Sequence, residues 1–188
     1  MAVRKSPIGR VSFPSVFEPT AMEQGKEPKF QLTLIFDTAD PEVQRLIAEM
    51  KVAASDAVKK KWPNGAPLNL RNPFRDGNEK FQEKGWKEFQ NRTFVKFSAA
   101  KDRPPQIVDG GMRVITQASG LFYPGCWARV SYTCYAYDTS GNKGVAFGLC
   151  NIQKIRDDEA FDSRSTADQD FDAIAGSETS GGNEQMPW

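Results

Sequence analysis

Residues 125–154, GCWARVSYTCYAYDTSGNKGVAFGLCNIQK, hold two runs of alternating residues around the turn-forming cluster Asp138-Thr139-Ser140-Gly141-Asn142-Lys143. That is the pattern of an antiparallel β-hairpin. A two-residue loop (Ser140-Gly141) and a four-residue loop (139–142) predict the same pairing, because Asp138 faces Lys143 in both. One face then pairs Val130 with Asn151, Tyr132 with Leu149, Cys134 with Phe147 and Ala136 with Val145, a mostly apolar side suited to a core. The other pairs Trp127 with Lys154, Arg129 with Ile152, Ser131 with Cys150, Thr133 with Gly148, Tyr135 with Ala146 and Tyr137 with Gly144. Rings and an arginine project there over mostly small residues. Tyrosine over glycine is one way to pin a sheet register. Two tyrosines, a tryptophan and an arginine in one row favour a platform on which unpaired bases stack, at about 1–3 kcal/mol each.

Outward from the hairpin, period-2 alternation recurs. Residues 29–36 (KFQLTLIF) place Phe30, Leu32, Leu34 and Phe36 on one face, and residues 11–17 (VSFPSVF) place Val11, Phe13 and Phe17 on one face. Residues 93–99 and 113–116 are further strand candidates, separated by the turn signals Asp102-Arg103-Pro104-Pro105 and Gly110-Gly111. Between Asp40 and Trp62 the period becomes helical: Asp40 can cap, Pro41 suits the first position, and Val43, Leu46, Ile47, Met50, Ala54, Ala57 and Val58 form one stripe. Lys59-Lys60-Lys61 then complements the helix dipole. Residues 62–91 form a long Pro/Gly/Asn-rich excursion studded with Trp62, Arg71, Phe74, Arg75, Phe81, Trp86 and Phe89. Long loops in compact domains are functional or disordered, and so many rings argue against disorder.

A mainly β protein follows, a five-stranded OB-like Greek-key barrel with one amphipathic helix, long loops and a disordered acidic C-terminal tail. An SH3-like barrel or a sandwich would give similar strings. The 188 residues suit one domain plus an appendage. The formal net charge of +1 conceals two segments. From Asp157 onward there are nine acids and one base, net −8, while residues 1–156 hold 24 bases against 15 acids, net +9. Residues 1–156 therefore read as a nucleic-acid-binding domain, and residues 157–188 as an acidic, disordered tail. The tail ends in Met186-Pro187-Trp188, an apolar tip suited to another protein's pocket.

Composition closes off much of enzymology. There is no histidine, and the three cysteines lack metal-ligand spacing, which starves zinc sites and histidine-based catalysis of ligands. Cys126 and Cys134 sit eight strand residues apart, about 26 Å at 3.3 Å per residue, beyond disulfide reach. No apolar run long enough to span a bilayer and no signal peptide is present, so an intracellular soluble protein is expected.

Four stretches in order, Gly9-Arg10-Val11-Ser12-Phe13-Pro14-Ser15-Val16-Phe17-Glu18-Pro19, Arg71-Asn72-Pro73-Phe74-Arg75-Asp76-Gly77, Tyr123-Pro124-Gly125-Cys126 and Gly141-Asn142-Lys143-Gly144-Val145-Ala146-Phe147-Gly148-Leu149, resemble a tailed-phage family of single-stranded-DNA-binding proteins over about residues 8–156. The resemblance implies an OB fold, sequence-independent binding of single-stranded DNA, a role in phage replication or recombination, and a place in the cytoplasm of the infected bacterial host. The tail resembles those of bacterial and phage single-strand-binding proteins, which recruit replication enzymes and compete with DNA. It departs from them in holding one acid, Glu184, among its last seven residues and in ending on tryptophan.

The expected DNA contacts are Trp127, Arg129, Tyr135, Tyr137, Lys143 and Lys154 on the hairpin, Arg71, Phe74 and Arg75 in the excursion, and Lys96, Arg103, Arg113 and Tyr123 elsewhere. Met186, Pro187 and Trp188 are expected to meet replication or recombination proteins. No catalytic residue, metal, cofactor or membrane is called for, and self-association is left open. The alternatives are a phage structural or assembly protein of small-barrel fold with a docking tail, and a carboxylate-magnesium nuclease using Asp76, Asp102, Asp109 and Asp138, acids that turn chemistry already explains.

Overall fold

The computed structural model describes residues 2–21, 24–139 and 141–161. In chain order its elements are β1 (Arg4–Lys5), β2 (Gly9–Thr20), β3 (Lys29–Phe36), α1 (Pro41–Lys61), β4 (Phe74–Asp76), α2 (Gly77–Lys84), β5 (Thr93–Ala100), β6 (Gln106–Val108), β7 (Trp127–Thr139) and β8 (Asn142–Arg156). Five strands close on themselves. β2 pairs with β3, β3 with β5, β5 with β8, β8 with β7, and β7 returns to β2. Every contact in this ring is antiparallel except β5 with β8. This is the OB-like barrel expected from the sequence. β1 and β6 extend it outside β7 and β8, and β4 extends it along β5.

Alternation drives the closure. Phe30, Leu32, Leu34 and Phe36 from β3, Val95, Phe97 and Ala99 from β5, Val130 and Tyr132 from β7, and Phe147 and Leu149 from β8 fill the interior. Helix α1 adds Val43, Ile47 and Met50 to the same core. It begins as expected: the Asp40 carboxylate accepts the amides of Glu42 and Val43 at 2.8 and 3.4 Å, satisfying donors that the first turn leaves without partners. Lys59, Lys60 and Lys61 occupy its last turn and stay exposed.

The hairpin register holds from the tip to Tyr132–Leu149, then slips. A bulge opposite Ser131 takes up Cys150, so Ser131 faces Asn151, Val130 faces Ile152, Arg129 faces Gln153 and Ala128 faces Lys154; a second slip sets Trp127 opposite Arg156. The expected pairs of Trp127 with Lys154, Arg129 with Ile152, Ser131 with Cys150 and Val130 with Asn151 are thereby corrected. One extra residue exchanges the faces of everything beyond it. Ile152 and Lys154 consequently turn inward, at 1% and 7% exposure.

Three further expectations change. Alternation puts Phe13 on the same face as Val11, yet it stands 54% exposed at a positive φ of 47°, and Val16 takes the core position. Residues 113–116 make only an isolated bridge, Val108 to Val114, because the Asp109 carboxylate accepts the amides of Gly111 and Arg113 and closes a tight turn; the strand lies before that turn, as β6. The excursion is no plain loop, since it carries β4, a second helix and a 3₁₀ turn at Lys87–Phe89. Asp76 caps α2 by accepting the Asn78 amide at 2.9 Å. A Cβ on Gly77 would lie 2.1 Å from the Phe89 carbonyl oxygen, so only glycine lets α2 cross the 3₁₀ turn that closely.

Cys126, Cys134 and Cys150 are free. Burial pushes the Cys134 thiol up to about 11, which suits a packing residue. No described helix is long and apolar enough to cross a membrane. Residues 162–188, with Met186, Pro187 and Trp188, lie outside the described residues.

Candidate nucleic-acid interface

While Val95, Phe97 and Ala99 of β5 enter the core, Phe94, Lys96 and Ser98 face out. The register sets Thr33 beside Lys96 and Ile35 beside Phe94. The excursion rises along this outer face and makes its second wall. Arg71 donates its amide to the Lys143 carbonyl at 2.9 Å and accepts from the Val145 amide, clipping the excursion to the hairpin. A Cβ on Gly144 would come 2.9 Å from the Arg71 Cβ and carbonyl oxygen and 2.9 Å from the Tyr137 hydroxyl, which is why glycine occupies the clip.

Between these walls runs an open groove of about 560 Å³. Phe13, Trp86, Phe89 and Phe94 line it with rings, Arg71, Arg75, Lys80 and Lys96 with cations, and Thr33, Asn72, Ser98 and Tyr137 with polar atoms. The rings are organised rather than scattered: Phe13 and Trp86 stand 5.1 Å apart, Trp86 and Phe89 5.8 Å, and Phe89 meets Phe94 edge-on at 5.2 Å. The Arg75 guanidinium lies 6.0 Å over the Phe94 ring while one of its nitrogens stands 3.4 Å from the Glu79 carboxylate. Burial, and then the charge of Lys29, lower the Lys96 ammonium below the ordinary lysine range. Cations beside stacking faces, open to solvent, can neutralise phosphates and receive bases at once.

A second cluster lies where β8 ends. Asp157 accepts from Lys154 Nζ at 2.6 Å and from the Tyr123 hydroxyl at 2.9 Å. Asp158 accepts from the Trp127 indole at 2.6 Å, with Arg10 and Arg156 at 3.7 and 3.9 Å. The Arg156 guanidinium covers the Trp127 ring at 4.2 Å, and that of Arg10 covers the Phe161 ring at 4.3 Å. Hydrogen bonds from Lys154 and from Trp127 hold the Asp157 and Asp158 carboxyls, respectively, below the usual range. The first acids after the barrel are thus seated on its own cations and rings.

The family model described as Enterobacter phage Enc34, ssDNA-binding protein, matches residues 3–181. This chain belongs to that family. A putative protein p50 of Acyrthosiphon pisum secondary endosymbiont phage 1 is 26% identical over 170 residues, 88% of this chain and 90% of p50. The single-stranded DNA-binding protein of bacteriophage Enc34, solved in complex with ssDNA, shares the fold with a TM-score of 0.69 at 21% identity, over 85% of this chain and 89% of that one. The gp2.5 single-stranded DNA-binding protein of bacteriophage T7 shares it with a TM-score of 0.59 at 16% identity, over 95% and 99% of the two chains. The family resemblance read from the four motifs is borne out.

Within this Enc34-family barrel the sequence-expected contacts fall into separate places. Arg71, Arg75, Lys96 and Tyr137 come together in the groove. Phe74 lies behind it, edge-on to Phe147 at 5.6 Å with Lys51 over its ring. Trp127, Tyr123 and Lys154 belong to the cluster around Asp157 and Asp158. Tyr135 covers Gly148, with Cε1 3.5 Å from where a Cβ would stand. Lys143 pairs with Asp138 at 3.3 Å, Arg113 with Asp109 at 2.8 Å, and Arg129 bonds Gln153 at 2.9 Å. Arg103 is exposed in the turn after β5.

Phe13, Trp86, Phe94, Lys80 and Arg10 escaped the expectation. Alternation of Phe94 with Val95 and Phe97 carried the information for one of them; for Phe13 the alternation pointed the wrong way. Three of the four acids of the nuclease alternative have structural work: Asp76 caps α2, Asp109 closes its turn and Asp138 pairs with Lys143. No group of three or more potential metal ligands occurs among the described residues.

Proposed function

We propose that this chain binds single-stranded DNA without sequence preference, in the groove between β5, the β7–β8 hairpin and the excursion, and serves phage DNA replication or recombination. The observation that carries this is the groove itself, in which the rings of Phe13, Trp86, Phe94 and Tyr137 share one open face with four cations. Arg71, Arg75, Lys80 and Lys96 neutralise phosphates; Phe13, Trp86, Phe94 and Tyr137 receive bases, whose π-faces are common to every sequence. The membership of the Enc34 family and the ssDNA-bound relative of the same fold support it.

The acidic residues after 156 compete with DNA for the body's cations and carry the tip that recruits replication or recombination proteins. The pairing of Asp157 and Asp158 with Lys154, Arg10 and Arg156 supports the competition. The test is a titration of labelled oligo-dT with the full chain, with duplex and RNA as competitors. Tight, salt-sensitive binding that duplex fails to displace is expected. No binding at low salt would overturn the reading.

A further inference from the structure

The groove continues past one pair of rings. A second hollow, toward Pro124 and Phe161, is lined like the first by both Phe13 and Trp86, so this pair stands between the two. Phe13 holds a φ of +47° inside β2, at the point between Ser12 and Ser15 where the pairing with β3 slips. Bulky residues rarely adopt that backbone, and glycine or asparagine would take it at less cost. The result is a phenyl ring withdrawn from the core alternation and left 54% exposed. Its ring partner, Trp86, sits between α2 and the 3₁₀ turn, next to Gly85. Stability alone does not explain a large ring in a costly conformation facing solvent.

We propose that Phe13 and Trp86 form a base-stacking station that sets the preference of this chain for unpaired bases over sugar-phosphate backbone alone. The inference rests on the single-stranded-DNA reading above and names the part of the groove that supplies its selectivity. Neutral rings have no attraction for phosphate, so the station supplies the base-dependent, salt-insensitive part of binding, and the groove cations supply the salt-dependent part. A paired, stacked base in a duplex offers no free face to either ring. The positive φ of Phe13 is the device that aims the station.

The test compares full-length wild type, Phe13→Gly, Phe13→Tyr and Trp86→Leu for binding to oligo-dT and to an abasic strand of equal length, with thermal melts of each. Phe13→Gly accommodates the backbone and is expected to keep or raise the melting temperature. Its affinity for oligo-dT should fall by roughly 5- to 150-fold, the effect of losing one base–ring stack. Affinity for the abasic strand and the salt slope should stay unchanged. Trp86→Leu should lose the same preference, and Phe13→Tyr should retain it. Equal loss on both strands, or an unchanged dT-to-abasic ratio in both ring-removal variants, overturns the station while leaving DNA binding intact. Failure of wild type to bind oligo-dT overturns the parent reading and the station together.

Discussion

The indole N–H of Trp127 donates to Oδ2 of Asp158 at 2.6 Å, so the ring that heads the aromatic row of β7 is bonded to the second residue beyond β8. Arg156 stacks on the same ring at 4.2 Å and lies 3.9 Å from the same carboxylate. An acid stands where a phosphate would find an N–H donor and two guanidinium groups. Removing that acid should free the cluster. Asp157→Asn with Asp158→Asn is expected to raise affinity for oligo-dT at low salt by about 2- to 10-fold, or about 0.4–1.4 kcal/mol in all, within what three surface pairs at about 0.2–1 kcal/mol each can contribute. Deletion of 157–188 should raise it further. Unchanged affinity in both would show that the acids do not compete with DNA.

The same two carboxyls set a lower pH limit on this cluster of contacts. Both are depressed in the folded chain, Asp157 chiefly by Lys154 and Asp158 chiefly by Trp127. A depressed carboxyl contributes stability above its unfolded value, near 3.9, and loses it as pH falls through the lower folded value. Indole fluorescence from Trp127, isolated by replacing the other three tryptophans with phenylalanine, should stay constant from pH 7 to about 4.5 and change only below. A transition centred near pH 6 would sink the assignment.

Salt dependence separates the groove cations from those engaged elsewhere. Each phosphate neutralised on a single strand contributes about 0.7 to the slope of log affinity against log salt. Arg71→Ala, Arg75→Ala and Lys96→Ala should each lower the slope by about that amount. Arg113→Ala, paired with Asp109 on the far turn, should leave it unchanged. If Arg113→Ala lowers the slope as much as Lys96→Ala, the DNA path runs along β6 instead.

The barrel was legible because its information is local. Alternation in residues 29–36, 93–99 and 127–139 names the inward residues, and the cap at Asp40 names the helix start. The groove was legible only in part. Arg71, Arg75, Lys96 and Tyr137 lie where alternation and composition placed them. Phe13 does not, because it sits within the slip of β2 between Ser12 and Ser15, and in the core Ile152 does not, because it lies beyond the bulge of β8; an inserted residue reverses faces without changing the amino-acid pattern that precedes it. Trp86 needed tertiary information: nothing local shows that α2 and its following turn fold back over β5.

Gly144 ties the fold to the groove. Gly144→Ala would force a methyl to within 2.9 Å of Arg71 and the Tyr137 hydroxyl, against backbone that cannot give easily. Overpacking of this kind costs about 1–3 kcal/mol, or roughly 2–4 °C of melting temperature per kcal/mol in a chain of this size. Affinity should fall as well, because Arg71 moves with the strand it bridges. A variant with wild-type melting temperature and affinity would mean that the clip to β8 does not hold the excursion.

Lys96 supplies the last expectation, through its own titration. Desolvation and then the charge of Lys29 hold its pKa below the ordinary lysine value. A phosphate favours the charged form, and DNA binding therefore takes up a proton in the interval between the free and bound values. As pH rises above neutrality, Lys96 therefore loses its charge earlier than a fully solvated lysine would. Affinity for oligo-dT should accordingly decline at a lower pH than an ordinary lysine near 10.4 would dictate. Lys96→Arg keeps the charge throughout this range and should flatten the decline. Identical pH profiles for the wild type and Lys96→Arg would remove Lys96 from the phosphate path, because a contact that titrates in one and not in the other cannot leave them alike.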